Sequence, residues 1–290
     1  MMLNLNQIHW YLMDPKKYIQ MVIWIQVVFL QCVPNLEGKE NIEKFTIPTK
    51  EGNVFTLTND CQSKSKLMVF VHGSPGNGSD FLPYLQDKDF QTHFCMMSPD
   101  RLGFGFSKRE EFIPSVNTQG KGISEMIQSF IVSQKLSVTS IFIVGHSYGG
   151  PVSMKSFLLL SESLKKNGKV FLLSAPMDPM YEELRFYNHL AKSIIIEWIL
   201  PKSWVRSNEE MFQLKQDLLG LELELRQFRF PVVMIHGDSD GLVPWEHTKF
   251  LNHESYKGES KVYLLSGGSH FIPWTRFSEI KSIVFKEVSL

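Results

Sequence analysis

Short uncharged runs recur along the chain after residue 40 and alternate with segments whose apolar residues have helical spacing. The runs occupy 67–71, 94–97, 140–144, 170–173, 232–235 and 262–265. Such runs, bounded by turn-forming residues, are typical of strands that are buried on both faces of a parallel sheet. Two further segments, 43–48 and 53–58, flank the turn sequence KEGN and predict a hairpin. The apolar spacing predicts helices at 124–135 and 151–166.

Strands that alternate with helices predict an α/β fold, with a mostly parallel, twisted sheet and helices on both of its faces. Residues 180–229 depart from this alternation, because they carry no strand signal although one crossover needs only about a dozen residues. We expect this stretch, called the cap segment below, to form a short helical cap over the carboxyl edge of the sheet. Its acidic residues, including Glu209 and Glu210, are interpreted as solvated helix faces. The predicted domain covers residues 39–290.

The first 38 residues are interpreted as an N-terminal signal or anchor segment. Residues 18–33 carry no charge and follow Lys16 and Lys17, which is the order found in an export signal. The apolar run ends at Cys32, where a lipoprotein signal places its acylated cysteine, although the usual small residue before it is missing. We expect an exported or membrane-associated protein, with Cys32 as a lipidation site. A short membrane anchor, or a buried N-terminal helix on a cytoplasmic protein, remains the alternative.

Composition narrows the classes of function. The chain has 30 basic and 30 acidic residues, whereas proteins that bind nucleic acid usually carry a basic excess, so nucleic acid is not an expected partner. A hydrophobic content of 43% excludes wholesale disorder. Three cysteines do not make a disulfide framework, and the spacing leaves open whether Cys61 and Cys95 pair. The scattered histidines and cysteines predict no metal site, and no cofactor is expected.

The sequence GHSYGG at 145–150 follows a predicted strand and precedes a predicted helix. This is the setting of the G-x-S-x-G nucleophile elbow, in which a serine sits on a strained turn between strand and helix. Gly145 and Gly149 fit the turn, because neighbouring backbone has to pass where a β-carbon would clash. Ser147 is therefore the candidate nucleophile.

A serine nucleophile needs a general base and a carboxylate that orients the base. His270 follows the last predicted strand, so a loop could carry its imidazole over Ser147. Asp240 follows the preceding predicted strand and is the candidate acid, because a carboxylate there could hold the imidazole tautomer. Asp238 and Asp178 are rivals for that role. The resulting chain order is nucleophile, acid, base.

An acyl-transfer site also needs donors for the oxyanion of its tetrahedral intermediate. The backbone N–H of Tyr148, directly after the candidate nucleophile, is one expected donor. The other is the backbone N–H of Ser74, in the sequence HGSPG that follows the strand predicted at 67–71. His72 and His146 are interpreted as structural residues.

Four motifs in this order make the chain resemble the α/β-hydrolase superfamily over about residues 40–290. They are HGSPG at 72–76, DRLGFGFS at 100–107, GHSYGG at 145–150, and HGDSDGLVP followed by GGSH. The resemblance implies the fold and cleavage of an ester, thioester, amide, C–C or epoxide bond, or acyl transfer or haloperoxidase-like activity. Dehalogenases and epoxide hydrolases of this fold use an aspartate at the elbow, whereas proline iminopeptidases usually carry HGGPG. Both are disfavoured here.

Taken together, these residues predict a serine hydrolase that cleaves a carboxylic ester through an acyl-enzyme. Aromatic residues are frequent in the cap segment, and Trp245 and Trp274 follow the candidate acid and base. This favours a small to medium apolar molecule as substrate. Hydrolysis of a C–C, thioester or amide bond, acyl transfer, and a non-catalytic ligand-binding role are the alternatives.

Overall fold

The computed structural model describes residues 42–107, 111–227, 229–252, 256 and 258–289. The predicted signal or anchor segment, with Cys32, lies outside these residues. Within them the chain forms one sheet of eight strands. The strands are β1 Glu43–Thr49, β2 Gly52–Thr58, β3 Lys66–Val71, β4 Cys95–Pro99, β5 Ser140–His146, β6 Lys169–Leu173, β7 Val232–Gly237 and β8 Ser260–Leu265.

The sheet is mostly parallel, as the sequence predicts. Its strand order is β1-β2-β4-β3-β5-β6-β7-β8. The β1/β2 hairpin and the β2/β4 pair are antiparallel, and the pairs from β4 across to β8 are parallel. The carboxyl ends of the parallel strands therefore meet at one edge, and the loops after β3, β5, β7 and β8 leave the sheet side by side.

Helices fill the connections between the strands. Those described are α1 Leu82–Leu85, α2 Lys88–His93, α3 Val116–Ser133, α4 Gly149–Leu158, α5 Glu162–Lys165, α6 Phe186–Ala191, α7 Ile194–Ile199, α8 Lys202–Leu225, α9 Ile272–Thr275 and α10 Phe277–Glu287. Two 3₁₀ segments, Gly78–Phe81 and Trp245–Asn252, add to them. Helices α6, α7 and α8 fall within the cap segment.

Strand β3 shows how the sheet is covered on both faces. Successive residues of a strand point to opposite faces. Val69 belongs to the core cluster that contains Met126 of α3 and Val152 of α4. Phe70 packs instead against Phe90 of α2, with ring centres 6.3 Å apart. Both faces of the strand are therefore buried, which is why its sequence is an uninterrupted apolar run.

Three local predictions differ from the structure. Strand β8 is not buried on both faces, because it lies at the edge of the sheet and Val262 and Leu264 are exposed. Helix α3 begins at Val116, eight residues before the predicted start, with the Ser115 side chain capping its first turn. The predicted helix 151–166 is instead two helices, because α4 ends at Leu158 and α5 begins after an extended Ser161.

Helix α8 joins the cap segment to the core. Its residues Leu214, Leu218, Leu221 and Leu225 are buried in the main core cluster. The cap segment before α8 has more exposed side chains: Phe186 of α6 is 69% exposed and Trp198 of α7 is 90% exposed.

Across the described ranges, none of the helices combines the length and apolar character that a membrane span requires.

A disulfide bond joins Cys61 and Cys95. Cys61 lies between β2 and β3, and Cys95 is the first residue of β4. The bond answers the question that the cysteine spacing left open. It ties the loop after the hairpin to a central strand of the sheet.

Candidate active site

Ser147 follows the carboxyl end of β5 and precedes α4, on a sharp turn. Its φ is +52°, in the left-handed region that residues other than glycine rarely adopt. The Ser147 N–H donates to Leu173 O at 3.0 Å, and its carbonyl accepts from Gly150 N–H at 2.8 Å. An added β-carbon at Gly145 would lie 2.3 Å from Gly149 O, so the turn closes only with glycine there. The side chain is thereby presented at the edge where the loops meet.

Asp240 and His270 are brought together by the loops that follow β7 and β8. His270 Nδ1 lies 2.8 Å from Asp240 Oδ2, and both side chains are buried. The other oxygen, Asp240 Oδ1, accepts from the N–H groups of Leu242 and Val243, each at 2.9 Å. The carboxylate is therefore fixed from both sides, and the imidazole is fixed through its Nδ1.

The electrostatic surroundings of Asp240 favour its ionised form. Burial by itself raises the pKa of this carboxyl, but its interactions with His236, with His270 and with the Val243 N–H together outweigh burial. They hold the pKa of Asp240 below its ordinary value. A carboxylate that stays charged can stabilise a positively charged imidazolium beside it.

His146, directly before Ser147, connects the nucleophile turn to the loop that carries His270. Its Nε2 donates to the His270 carbonyl at 3.0 Å, and the two ring centres are 4.9 Å apart. Burial and the neighbouring His270 lower the pKa of His146 to about 3, so its ring is neutral at physiological pH. This hydrogen bond gives His146 a positioning role, which agrees with its interpretation as a structural residue.

The two rival carboxylates have other partners. Asp238 Oδ1 accepts from Gly267 N–H at 2.8 Å and caps that turn. Asp178 Oδ1 accepts from Met180 N–H at 2.9 Å. Of the three candidates, Asp240 is the one whose carboxylate is hydrogen-bonded to His270.

The loop after β3 runs beside Ser147. A β-carbon added to Gly73 would lie 3.0 Å from Ser147 Cβ, so the loop approaches the serine closely. His72 braces the loop, because its Nδ1 donates to Gly73 O at 2.7 Å and its Nε2 accepts from Arg101 N–H at 2.9 Å. The loop that carries Ser74 therefore lies beside Ser147, and Tyr148 follows Ser147 directly in the chain. The backbone N–H groups of Ser74 and Tyr148 stay the expected oxyanion donors.

The turn DRLGFGFS lies against this loop. Asp100 accepts from Gly78 N–H and from Phe106 N–H, each at 2.6 Å. Ser107 Oγ donates to Asp100 O at 2.6 Å and accepts from Phe55 N–H at 2.8 Å. The aspartate and serine of the motif therefore hold the turn in shape, and the turn in turn fixes Arg101.

A buried ion pair beside the loop was not predicted from the sequence. Arg101 and Glu210 are fully buried, and Arg101 Nη1 lies 2.5 Å from Glu210 Oε1. The interpretation of Glu210 as part of a solvated face is therefore wrong. Its spacing to Leu214, Leu218 and Leu221 places it on the buried face of α8, and this periodicity was the signal that could have revealed it.

A cleft of about 360 Å³ lies elsewhere, between the cap segment and the residues that precede α3. Its lining includes Lys192, Glu197 and Phe212 and contains none of Ser147, Asp240 and His270. Among the described residues, no group of three or more histidine, cysteine or carboxylate side chains is arranged to hold a metal ion.

The chain is similar to one family model and to several solved structures. Residues 66–194 match the family model of the alpha/beta hydrolase fold. An esterase from Exiguobacterium antarcticum is 17% identical, with a TM-score of 0.62 over 86% of this chain and 100% of that one. A bromoperoxidase from Bacillus anthracis is 18% identical, with a TM-score of 0.61 over the same shares.

An epoxide hydrolase from Vigna radiata, VrEH1, is 15% identical, with a TM-score of 0.64 over 87% of this chain and 99% of that one. At these identities the likeness concerns the fold, and the three proteins carry out different reactions. No protein of curated function matches the sequence of this chain.

Proposed function

We propose that this chain, which has the α/β-hydrolase fold and matches the model of that family over residues 66–194, is a serine hydrolase that cleaves a carboxylic ester through Ser147, His270 and Asp240. The observation that carries the proposal is the buried 2.8 Å contact between His270 Nδ1 and Asp240 Oδ2, at the same sheet edge as the strained turn of Ser147. A nucleophile turn together with an oriented base is the arrangement that acyl transfer requires.

In the proposed reaction, Asp240 holds the Nδ1 proton of His270, which leaves Nε2 as the basic nitrogen. His270 Nε2 takes the proton of Ser147 Oγ while the oxygen attacks the ester carbonyl carbon. The N–H groups of Tyr148 and Ser74 donate to the oxyanion that forms. His270 then gives its proton to the departing alcohol, and an acyl group remains on Ser147.

Water completes the cycle. His270 accepts a proton from the water molecule that attacks the acyl-enzyme, and a second tetrahedral intermediate forms at the same carbon. Its collapse releases the carboxylic acid and returns the proton to Ser147 Oγ. Asp240 keeps its negative charge throughout, because its pKa lies below the ordinary range.

The proposed substrate is a small to medium apolar ester. The chain has a formal net charge of zero, so no strong overall field favours a charged substrate. Apolar side chains are exposed in the cap segment and after Asp240, among them Met180 and Leu242. Such side chains suit an apolar acyl or alcohol group better than a charged one.

The test is a panel of p-nitrophenyl esters of increasing chain length, with amide, thioester and β-diketone substrates beside them. We expect turnover of short to medium esters by the wild-type protein and none above background by Ser147→Ala. Good turnover of another bond class without any ester turnover would favour C–C, thioester or amide hydrolysis. Binding of ligands without turnover would favour a non-catalytic role.

We also propose that the protein is exported, with Cys32 as its lipid attachment site. The uncharged run after Lys16 and Lys17 supports this, and so does the Cys61–Cys95 disulfide, because disulfides persist mainly in oxidising compartments. Mass spectrometry of the mature chain should find an acylated Cys32 at its start. A soluble product that retains residue 20 would contradict lipidation at this cysteine.

A further inference from the structure

We propose that Glu210 is a positioning residue for the oxyanion hole, acting from helix α8 through Arg101 and Ser74. This inference rests on the proposed function, because it gives a role to the Ser74 N–H in ester cleavage. It connects a helix of the cap segment to the loop that flanks Ser147. The connection runs through the peptide between Gly73 and Ser74.

The Gly73–Ser74 peptide bond is trans. In a planar trans peptide, the carbonyl and the N–H point in opposite directions, so fixing one fixes the other. Gly73 O accepts from Arg101 Nη2 at 2.9 Å and from His72 Nδ1 at 2.7 Å. Two donors therefore hold the carbonyl on the Arg101 side, and the Ser74 N–H is directed away from Arg101.

Arg101 is in turn held by Glu210. The contact is bidentate, with Nη1 to Oε1 at 2.5 Å and Nη2 to Oε2 at 3.0 Å. Arg101 Nε also donates to His72 O at 3.1 Å. The guanidinium thus bridges the carboxylate of α8 and two successive carbonyls of the loop. Its fixed fork geometry transmits the position of Glu210 to the Gly73–Ser74 peptide.

Glu210 also contacts the loop directly. Ser74 Oγ donates to Glu210 Oε2 at 2.5 Å, so the side chain of the same residue whose N–H is the expected donor is anchored as well. Carbonyl and side chain together leave the Ser74 backbone little freedom to rotate. A displacement of α8 would therefore change the direction of the Ser74 N–H.

A positioning role of this pair can be separated from a contribution to the stability of the fold. Desolvating two charges is costly, and replacement of a buried ion pair by apolar residues of similar size is often neutral or stabilising. Removal of one partner is different, because it leaves an uncompensated buried charge. A double apolar replacement therefore separates a positioning role from a contribution to folding.

The experiment compares the wild-type protein with Arg101→Met/Glu210→Met and with Ser74→Ala. Loss of a whole oxyanion donor costs about 10²–10³-fold in kcat, so a misdirected donor should cost about 10- to 100-fold in the double variant. KM for the ester should stay nearly unchanged, and a trifluoromethyl ketone, whose adduct places an oxyanion in the same hole, should bind correspondingly more weakly. Ser74→Ala should show a smaller loss of the same kind.

Glu209→Gln is the matched control, because Glu209 is the exposed neighbour of Glu210 on the same helix and should keep wild-type kcat. Thermal unfolding checks that each variant is folded. A folded double variant with wild-type kcat and wild-type affinity for the ketone would overturn the inference and leave the proposed function intact. A wild-type protein that hydrolyses no ester would overturn both together.

Discussion

At the scale of single residues, Asp240 is a buried carboxylate that is fixed by hydrogen bonds to both of its oxygens. Its two oxygens have different partners, because Oδ2 contacts His270 and Oδ1 accepts from two backbone N–H groups. His236 Nε2 also lies 3.5 Å from Oδ2. These donors offset the cost of burying the carboxylate and direct it at the imidazole. The charge and orientation of one side chain therefore set the tautomer of the proposed base.

We expect Asp240→Asn to lose most of its activity while it keeps its fold. An amide at this position would stabilise the wrong tautomer of His270, and the corresponding change in another Ser-His-Asp enzyme lowers kcat about 10⁴-fold. Steady-state kinetics with a p-nitrophenyl ester measures the effect. Asp238→Asn is the matched control two residues away. It should keep kcat near that of the wild type, because Asp238 caps the Gly267 turn through Oδ1 and asparagine retains that acceptor.

The same carboxylate predicts a dependence of stability on pH. The pKa of Asp240 is lower in the folded protein than its ordinary value, so the ionised group stabilises the native state. This contribution is complete above the unfolded pKa of about 3.9 and is lost as pH falls through the lower folded pKa. Urea unfolding should therefore show Asp240→Asn less stable than the wild type at neutral pH. The difference in free energy of unfolding between the two proteins should shrink as the pH falls below about 4. A difference that stays the same at low pH would contradict this.

Glu210 shows where residue-level prediction failed. The sequence singles out Ser147, Asp240 and His270 because each lies in a recognisable motif in the loop after a strand. The structure shows the contact between Asp240 and His270, and the catalytic roles of the three residues stay predictions. Glu210 lies in a helix far from any motif, and glutamate is seldom buried without a partner. Its partner, Arg101, is more than a hundred residues away in sequence, so the pair emerges only when the chain is folded.

At the scale of elements, the strand–turn–helix unit of β5 and α4 depends on close backbone approach. A β-carbon at Gly149 would lie 2.2 Å from Val71 O and 2.6 Å from His72 O, which are backbone atoms of the neighbouring strand and loop. These atoms cannot move aside as a flexible side chain could. The first turn of α4 is thereby fixed against the loop that contains Ser74.

We therefore expect Gly149→Ala to destabilise the protein by about 3 kcal/mol or more, since overpacking against backbone has no cheap relaxation. The matched control is Gly220→Ala on α8, where nothing lies within 4 Å of the added β-carbon. Alanine is the better helix former by about 1 kcal/mol, so this variant should be more stable than the wild type. Urea unfolding measures the stability of both variants. Equal changes in the free energy of unfolding would contradict a close backbone contact at Gly149.

The positions of the strands and helices can be predicted from the sequence where one cause, such as burial on both faces of the sheet, determines the residue pattern. The strands could be predicted because burial on both faces demands an apolar run, but edge strand β8 has the same run with exposed side chains. The beginning of α3 was missed because Gly120 and Gly122 weaken the helical signal. The structure explains Gly120, since an added β-carbon there would lie 2.5 Å from Lys155 Cγ. Tertiary packing overrides local propensity at that point.

At the scale of the whole molecule, the Cys61–Cys95 disulfide connects the loop between β2 and β3 with the first residue of β4. The two cysteines are 34 residues apart in sequence, so the bond closes a sizeable loop in the unfolded chain. Closing such a loop lowers the conformational entropy of the unfolded state and thereby favours the native state. The bond also agrees with the proposal that the protein is exported.

We expect replacement of both cysteines by alanine to lower the free energy of unfolding by about 2–4 kcal/mol. Urea unfolding with and without a reductant provides the measurement and its control. Reductant should bring the wild-type protein toward the variant and leave the variant unchanged. A wild-type protein that unfolds identically in both conditions would contradict a stabilising bond.

Covalent labelling tests most directly whether Ser147 is a nucleophile activated by His270 and Asp240. A fluorophosphonate probe reacts with an activated serine, and peptide mapping by mass spectrometry identifies the residue modified. We expect a single adduct on the peptide that contains Ser147 in the wild-type protein and no adduct in Ser147→Ala. Equal labelling of the two proteins, or a folded wild-type protein that takes no label, would contradict it.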